Sequence, residues 1–233
     1  GQKKLLGAHA VVIGAGGIGS PVVQYLAAAG VGRLTIIDDD AVTLSNLQRQ
    51  ALFATGDEGS PKADKAAAVA TALNPDVDAR AVRTRISVDN AAGLIAGADV
   101  VVDGSDNFAT RLAVADVCTA LGIPLVSAAL GQFQGQIGVF RGWEPGQPCY
   151  RCFVGDAFDA EDCDTCSDLG VLGAMAGIMG SWAAMEAVRQ IVPWGPDPAG
   201  KLHVFDGTQL RMRTVRIVKD PACRTCGTGS GPA

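Results

Sequence analysis

Six of the seven cysteines fall in three C-x-x-C pairs, a spacing typical of metal ligands. The pairs are Cys149/Cys152, Cys163/Cys166 and Cys223/Cys226. Two pairs can supply the four thiolates of a closed tetrahedral zinc site, and the spacing alone leaves open which two. Disulfides are the alternative, but they need an oxidising compartment for which nothing else in the chain argues. The third pair would carry free thiols, and a thiol whose pKa is lowered becomes a nucleophile.

A glycine-rich segment near the start has the pattern of a phosphate-binding loop. Gly14, Gly16 and Gly19 form G-x-G-x-x-G, with Gly17 inside it, after an apolar strand pattern and before a helix pattern. Glycine permits the tight turn and lets backbone amides approach a phosphate. Asp38 ends the next strand pattern, where a carboxylate can bind ribose hydroxyls. The segment predicts a nucleotide site; the alternative is a glycine turn that only packs a helix on a strand.

The residues that follow indicate a polyphosphate rather than a dinucleotide. Segment 40–50, DAVTLSNLQRQ, replaces the helix that a dinucleotide domain would start here, and its polar residues include Asp40, Asn46, Arg49 and Gln50. Lys62 falls in the first turn of the next helix, where a cation opposes the helix dipole at a cost of ~0.3–1 kcal/mol. A triphosphate needs such cations during transfer. We interpret Arg49 and Lys62 as a polyphosphate clamp; the alternative is a solvated lysine that tolerates the penalty.

Acidic residues also end the fourth apolar strand pattern, in the sequence Asp103-Gly104-Ser105-Asp106-Asn107. Ligands of open α/β sheets bind at the carboxyl ends of strands, and carboxylates beside a polyphosphate usually mean magnesium. We assign metal or phosphate chemistry to Asp106 and a supporting position to Asp103. The alternative for Asp106 is a cap on the helix that begins at Asn107.

The elements that must position these residues alternate along the chain. We predict strands and helices over these segments: strands 9–13, 34–37, 98–103, 124–127, 136–140, 202–205 and 214–218, and helices 20–29, 107–121, a helix capped by Ser60 and stopped at 74–75, and one running through 169–185 to about 191. This alternation predicts an α/β fold with a Rossmann-like, mostly parallel sheet, helices on both faces and a C-terminal antiparallel extension. Segment 144–167 breaks the pattern and predicts a functional loop. Cys118 shares a helix face with Val114 and Leu121, so we interpret it as a small buried hydrophobe.

Composition excludes several classes of protein. The chain has 233 residues, a net charge of −5 and 18% charged residues, which argues against disorder and against binding to nucleic acid. Only two histidines are present, so most imidazole chemistry is improbable. The uncharged run before Glu186 is short and rich in Gly and Ala, which favours a buried helix over a membrane span. No secretory signal is visible at the start, and we expect a cytoplasmic protein.

Taken together, these motifs resemble the MoeB/ThiF/HesA family, the bacterial relatives of ubiquitin-activating enzymes. The resemblance rests on GAGGIGSPVVQYLAAAGVGRLTIIDDDAVTLSNLQRQ, Lys62, VVDGSDNFATR, CYRC, TCSDLGVLGAMAGIMGSWAAMEAVRQI and CRTC, and it covers nearly the whole chain. It implies ATP-dependent adenylation of the C-terminal Gly-Gly carboxylate of a ubiquitin-like sulfur carrier, which gives an acyl-adenylate and pyrophosphate. It also implies a homodimer and a separate sulfur-donor protein. Residues 1–226 would form one adenylating domain, with a nucleotide half of about 1–130, a carrier and zinc half of about 131–226, and a flexible tail, 227–233.

The resemblance also implies a role for each motif residue. Asp38 would hold the ribose, Asn46, Arg49 and Lys62 the phosphates, and Asp106 the magnesium ion and the reacting phosphate, with the glycine loop, Asp40, Gln50 and Asn107 completing the ATP site. The family's zinc ligands match Cys149, Cys152, Cys223 and Cys226. Cys166 matches a loop cysteine that some members link covalently to the carrier, and Cys163 is unusual in turning that position into a C-x-x-C pair.

Two alternatives keep the same motifs. An NAD-dependent oxidoreductase would leave Arg49, Lys62 and SNLQRQ without a role. A non-catalytic zinc scaffold that binds a ubiquitin-like partner would leave the nucleotide-site side chains unused. Family members carry, before the point where this sequence opens at Gly1, an arginine that reaches the partner subunit's ATP site, and we expect that segment to precede Gly1.

Overall fold

A computed structural model describes residues 1–155 and 170–227. Eight strands are described: β1 (His9–Ile13), β2 (Arg33–Ile37), β3 (Asp78–Val82), β4 (Val100–Asp103), β5 (Leu125–Leu130), β6 (Gln134–Phe140), β7 (Lys201–Asp206) and β8 (Arg211–Arg216). They form one sheet in the order β3-β2-β1-β4-β5-β6-β7-β8. Strands β1 to β5 pair in parallel, and β6, β7 and β8 continue the sheet in antiparallel fashion. The predicted parallel sheet with a C-terminal antiparallel extension is confirmed.

Helices cover both faces of the parallel strands. They are α1 (Gln2–Gly7), α2 (Gly19–Ala29), α3 (Lys62–Leu73), α4 (Ala91–Ile95), α5 (Phe108–Leu121), α6 (Tyr150–Val154) and α7 (Gly173–Ile191), with 3-10 turns at Leu44–Asn46 and Thr55–Asp57. All five residues of β1 are buried, because a parallel strand with helices on both sides has no solvated face. Val12 packs with α2, α3 and α7, whereas Val11 packs with α4 and α5.

Helices α2 and α7 approach each other closely because small residues line their contact. A Cβ placed on Gly180 of α7 would lie 2.3 Å from Cγ of Pro21 and 2.4 Å from the carbonyl oxygen of Ile18. The Gly/Ala-rich run is therefore a buried helix, as predicted. Among the described residues, no helix combines the length and apolarity needed to cross a bilayer.

The structure corrects two details of the helix starts. Ser60 does not cap α3: the helix begins at Lys62 after Pro61, whose ψ of 128° places it outside the helix. The N-cap position of a helix that begins at Lys62 is held by Pro61, so Ser60 lies one residue before the cap. Asp106 does not cap α5, because Asn107 accepts the N–H of Thr110 through its side chain, at 2.9 Å.

Other boundaries shift by a few residues. Strand β8 ends at Arg216 rather than at Val218, because its register against β7 runs from the Asp206–Arg211 pair to the Lys201–Arg216 pair. The start of the apolar run at Leu169 lies outside the described residues, and α7 begins at Gly173. Within the predicted loop 144–167, residues 150–154 form the short helix α6. The sequence patterns did not identify α1, β3 or α4.

Candidate functional site

A cavity lies where the strand order of the sheet reverses. The chain leaves β1 towards β2 and β3, then crosses back to β4, so the carboxyl ends of β1 and β4 border the switch point where open α/β sheets bind ligands. The cavity there has a volume of about 650 Å³. Its walls include eleven of the twelve predicted nucleotide-site residues: Gly14, Gly16, Gly17, Asp38, Asp40, Asn46, Arg49, Gln50, Lys62, Asp106 and Asn107.

The twelfth residue, Gly19, lies against the glycine loop instead of on the cavity wall. A Cβ at Gly19 would sit 1.8 Å from the carbonyl oxygen of Gly14, so only glycine lets α2 pack this closely on the loop. Gly14 itself has a φ of +83°, a conformation that glycine adopts without strain. These two glycines aim the N-terminus of α2 at the cavity, which is the arrangement that binds phosphate.

Asp38 joins the end of β2 to the glycine loop. Its Oδ2 accepts the N–H of Ala15 at 2.7 Å and its Oδ1 accepts the N–H of Asp40 at 2.8 Å. Burial raises the pKa of this carboxyl above its ordinary value, while the two N–H donors and the Lys62 cation act in the opposite direction. The carboxylate is thus fixed at the edge of the cavity, where each oxygen keeps further lone pairs for a ligand hydroxyl.

Lys62 is buried, not solvated. The residue is 4% exposed. Its Nζ donates to Oδ2 of Asp40 at 2.7 Å, and its backbone N–H donates to the carbonyl of Asp40 at 2.9 Å. The carboxylate of Asp40 is mostly exposed, so it neutralises the lysine from the solvent side. The interpretation of Lys62 as a solvated surface residue is wrong, because the packing places its ammonium group in the cavity wall.

The segment after Asp40 forms the opposite wall. The turn beginning at Leu44–Asn46 continues through the N–H of Arg49 and of Gln50, which both donate to the carbonyl of Asn46 at 3.0 Å. The Gln50 side chain is buried and donates through Nε2 to Oδ1 of Asn46, whereas its Oε1 has no hydrogen-bond partner within the described chain. Arg49 is half-buried with its side chain in the cavity lining.

The acidic residues after β4 occupy different depths. Asp103 is buried and its Oδ1 accepts the N–H of Ser105 at 2.9 Å, whereas Asp106 is exposed at the cavity rim. The hydroxyl oxygen of Ser105 is buried without a partner in the described part of the chain. A buried polar atom left unpaired is costly, so Ser105 and Gln50 offer two polar groups for a bound ligand.

Arg111 and Tyr150 are cavity residues that the sequence did not single out. Arg111 is 6% exposed and donates to Ser127 Oγ at 3.2 Å, to the carbonyl of Ala128 at 2.9 Å and to that of Ser105. Burial raises the pKa of the Tyr150 phenol, although the adjacent Arg111 acts in the opposite direction. In the sequence, the two residues occur only inside the motifs DNFATR and CYRC, which carry the family resemblance. An arginine or a tyrosine at these positions does not by itself indicate a chemistry, so neither was predicted as a site residue.

The four-cysteine cluster lies beside α6. Cys149, Cys152, Cys223 and Cys226 bring their sulfur atoms within 4.8 Å of one another. The Sγ–Sγ distances are 3.9 Å for 149–152, 3.5 Å for 149–223 and 3.4 Å for 152–226. A tetrahedron with Zn–S bonds of ~2.3 Å has edges of about 3.8 Å, so the sulfur positions fit a zinc ion.

Burial raises the pKa of the Cys149 thiol, and it raises that of Cys226 to about 11. Cys118 is buried in α5, and burial raises its pKa as well, as expected of a packing residue. Cys163 and Cys166 lie outside the described residues.

A Rossmann-like sheet with a phosphate-type glycine loop, cationic side chains in the cavity wall and a separate cysteine cluster defines a nucleotide-binding α/β protein. Residues 1–225 match the model of the ThiF family, and the chain belongs to that family. The chain is 44% identical to the SAMP-activating enzyme E1 of Haloferax volcanii, over 98% of this chain and 84% of the relative. It is 41% identical to the sulfur carrier protein ThiS adenylyltransferase of Escherichia coli, covering 97% and 89% of the two chains.

Other comparisons agree. The molybdopterin-synthase adenylyltransferase of E. coli is 38% identical over 97% of this chain and 90% of its own. Among solved structures, E. coli MccB superposes with a TM-score of 0.85, covering 97% of this chain and 67% of MccB, at 22% identity. At that identity the likeness concerns the fold alone.

Proposed function

We propose that this protein uses ATP to adenylate the C-terminal Gly-Gly carboxylate of a ubiquitin-like sulfur carrier, releasing pyrophosphate. The observation that carries the proposal is the single cavity that holds the glycine loop, Arg49, Lys62 and Asp106. The adenylate activates the carboxylate for later attack by sulfur from a separate donor protein. The names of the relatives, among them a sulfur carrier protein ThiS adenylyltransferase and a molybdopterin-synthase adenylyltransferase, support the same reaction.

ATP would lie along the carboxyl ends of β1, β2 and β4. Asp38 would accept from the ribose hydroxyls, while the loop Gly14–Gly17 and the N-terminus of α2 would approach the phosphates. Asn46, Arg49, Gln50 and Lys62, with Asp40 holding the lysine, would bind the triphosphate. The transfer builds up charge on the α-phosphate and on the leaving pyrophosphate, and fixed cations in a partly dry cavity stabilise that charge.

Magnesium would be held at the rim by Asp106, next to Asn107. Mg²⁺ prefers carboxylate and phosphate oxygens and keeps several waters, which suits an exposed aspartate beside a triphosphate. When bound, the ion neutralises phosphate charge during transfer. The chain itself would present the Asp106 carboxylate between the carboxyl end of β4 and the start of α5.

The four-cysteine cluster would hold a structural zinc ion. Four thiolate ligands complete a tetrahedron and leave no open position, so the ion would stabilise the fold and take no part in the reaction. Thiolates that bind zinc must stay reduced, which fits a cytoplasmic location. We assign the ATP site to a nucleotide half of about residues 1–130, and the carrier and the zinc ion to a half of about 131–226.

Two further features belong to the same proposal. Cys166 would form a covalent link to the carrier by displacing AMP from the acyl-adenylate, with Cys163 as its neighbouring thiol. A homodimer would bury the apolar side chains that α7 exposes at Ile178 and Met185. Sedimentation of the full-length protein would show twice the mass of one full-length chain. Residues 1–233 contribute 23.8 kDa to each chain.

ATP–pyrophosphate exchange tests the function directly. Radioactive pyrophosphate should enter ATP only when a carrier with a free Gly-Gly terminus is present, because the carboxylate is the acceptor. A carrier lacking the last glycine is the matched control and should support no exchange. Full-length protein that shows no exchange with any Gly-Gly carrier of its source organism would overturn the proposal.

A further inference from the structure

One carboxylate on helix α5 contacts the interior of both cysteine segments of the cluster. The two carboxylate oxygens of Asp116 accept from the guanidinium of Arg151, with distances of 2.7 Å from Nε and 2.7 Å from Nη2. The hydroxyl of Thr225 donates to Oδ1 of the same carboxylate at 2.9 Å. Arg151 lies inside segment 149–152 and Thr225 inside segment 223–226, so Asp116 joins the two C-x-x-C segments directly.

These contacts are geometrically fixed, and the arginine of the pair is shielded from solvent although the Asp116 side chain is 37% exposed. The Arg151 side chain is 6% exposed, and the two parallel hydrogen bonds match its planar fork to the carboxylate. A guanidinium buried to this extent needs its carboxylate partner. Asp116 belongs to a helix of fourteen residues that packs on the sheet, so the position of its carboxylate is not set by the cysteine segments alone.

We propose that Asp116 is a positioning residue of the cysteine cluster, which holds both ligand-bearing segments in the arrangement that binds the metal. The inference rests on the zinc site proposed above. Residues 149–152 and 223–226 are far apart in sequence, and bringing them together costs chain entropy that the metal would otherwise have to offset. Side chains that orient metal ligands from outside the ligand set change metal affinity by about 10- to 100-fold.

Zinc affinity of the full chain measures this contribution. Competition with a chromophoric chelator should show that Asp116→Asn binds zinc about 10- to 100-fold more weakly than the unmodified protein. Asparagine keeps the shape of the side chain but loses the negative charge and one acceptor for Arg151. The cobalt-substituted protein adds a second readout, because its visible spectrum reports tetrahedral thiolate coordination and should change in the variant at saturating cobalt.

Asp64→Asn is the matched control. Asp64 also accepts two hydrogen bonds from one arginine, Arg83, but that pair lies on the surface away from the cluster. The control should leave zinc affinity and the cobalt spectrum unchanged. Thr225→Val removes one hydrogen bond to Asp116 with little change in volume and should weaken zinc binding by roughly 3- to 10-fold.

The outcomes separate the two proposals. Failure of the unmodified protein to bind zinc would refute the zinc site itself. Normal zinc binding together with Asp116→Asn affinity within about twofold of it, and an unchanged cobalt spectrum, would overturn the positioning role alone. If Asp116→Asn does not fold, Thr225→Val decides: a weaker affinity supports the role of Asp116, and an unchanged affinity overturns it.

Discussion

Lys62 shows how packing turns an ordinary surface residue type into a candidate catalytic cation. Its ammonium group is held between the cavity and Asp40, whose carboxylate faces solvent. A lysine anchored in this way is preorganised, because the carboxylate and the helix fix its position before a phosphate arrives. Preorganised charge in a partly dry site lowers the barrier more than a mobile surface charge does.

Lys62→Met should therefore lower the rate of carrier-dependent ATP–pyrophosphate exchange by about 10²- to 10³-fold, the cost of removing one charge-stabilising donor. Lys65→Met is the matched control: Lys65 lies on the same helix, α3, but is 40% exposed and pairs with Asp57. The control should keep nearly full activity. Equal rates for the two variants would remove Lys62 from the proposed clamp.

His9 gives a pH dependence with a definite sign. Its Nε2 lies 2.9 Å from Thr35 Oγ1, and burial lowers its pKa below the ordinary 6.5, although Asp99 and the Gly97 carbonyl act in the opposite direction. Well above pH 6.5 the imidazole is neutral in both the folded and the unfolded chain. Below that pH the unfolded chain binds the proton first, so the free energy of unfolding falls as the pH falls from 6.5 towards the folded pKa.

Denaturant unfolding between pH 8 and pH 5 should show this loss, with a slope of at most about 1.4 kcal/mol per pH unit from this group. His9→Gln keeps a hydrogen-bonding side chain but does not titrate, so its stability should depend less on pH over the same range. Burial also lowers the pKa of the half-buried His203. The variant His203→Gln therefore shows how much a second imidazole contributes to the pH dependence of stability. An identical slope for His9→Gln and the unmodified protein would contradict the assignment.

At the scale of elements, the contact between α2 and α7 depends on one glycine. Gly180 lies against Pro21 and the Ile18 carbonyl, so an added methyl group would collide with backbone. Gly177 lies on the same helix, less than one turn away, and no atom beyond the helix lies within 4 Å of a Cβ built on it. The two positions separate the packing requirement for glycine from its poor helix propensity.

Gly180→Ala should destabilise the protein by about 1–3 kcal/mol, the usual cost of overpacking. Gly177→Ala should stabilise it by roughly 0.5–1 kcal/mol, because alanine loses less backbone entropy in a helix. Urea denaturation of the two single variants measures both values. Opposite signs are the expected result, and a loss of stability in both would mean that Gly177 has a contact that the fold does not explain.

Local patterns predicted the elements that are long or fully buried. The apolar runs of β1, β2 and β4 and the period of α5 gave the sheet and its switch point, since these residues face the core on both sides. Strand β3 was missed because its residues Asp78–Val82 alternate charge with alanine at the edge of the sheet, and helix α4 because five residues show no period. Such short elements form through tertiary contacts that the sequence does not display.

At the scale of the whole molecule, the candidate site follows from topology. Most of the predicted side chains converge because they come after parallel strands, whose carboxyl ends share one edge of the sheet. The inward position of Tyr150 could not be predicted, because α6 follows the antiparallel strand β6 and its direction depends on the cysteine cluster beside it. The sequence patterns thus located the strand-end residues of the cavity but missed Arg111 on α5 and the wall that Tyr150 contributes from the second half of the chain.

The nucleotide that the folded protein binds distinguishes an adenylating enzyme from an oxidoreductase. A ligand that binds only the folded state at 100 times its Kd adds about 2.7 kcal/mol to the free energy of unfolding. For a chain of this size that gain corresponds to a rise in Tm of roughly 5–10 °C. The glycine loop and Asp38 alone would serve NAD as well as ATP, but Arg49 and Lys62 add two cations that match a triphosphate.

We therefore expect MgATP to raise the Tm measured by thermal unfolding and NAD at the same concentration to leave it nearly unchanged. In Lys62→Met the shift with MgATP should shrink, because the variant lacks one phosphate cation while its glycine loop is intact. A shift with NAD that equals or exceeds that with MgATP, and that survives in Lys62→Met, would favour the oxidoreductase instead. The difference between the Tm shifts with the two nucleotides therefore reports the charge of the cavity, and not the shape that nucleotide-binding α/β folds share.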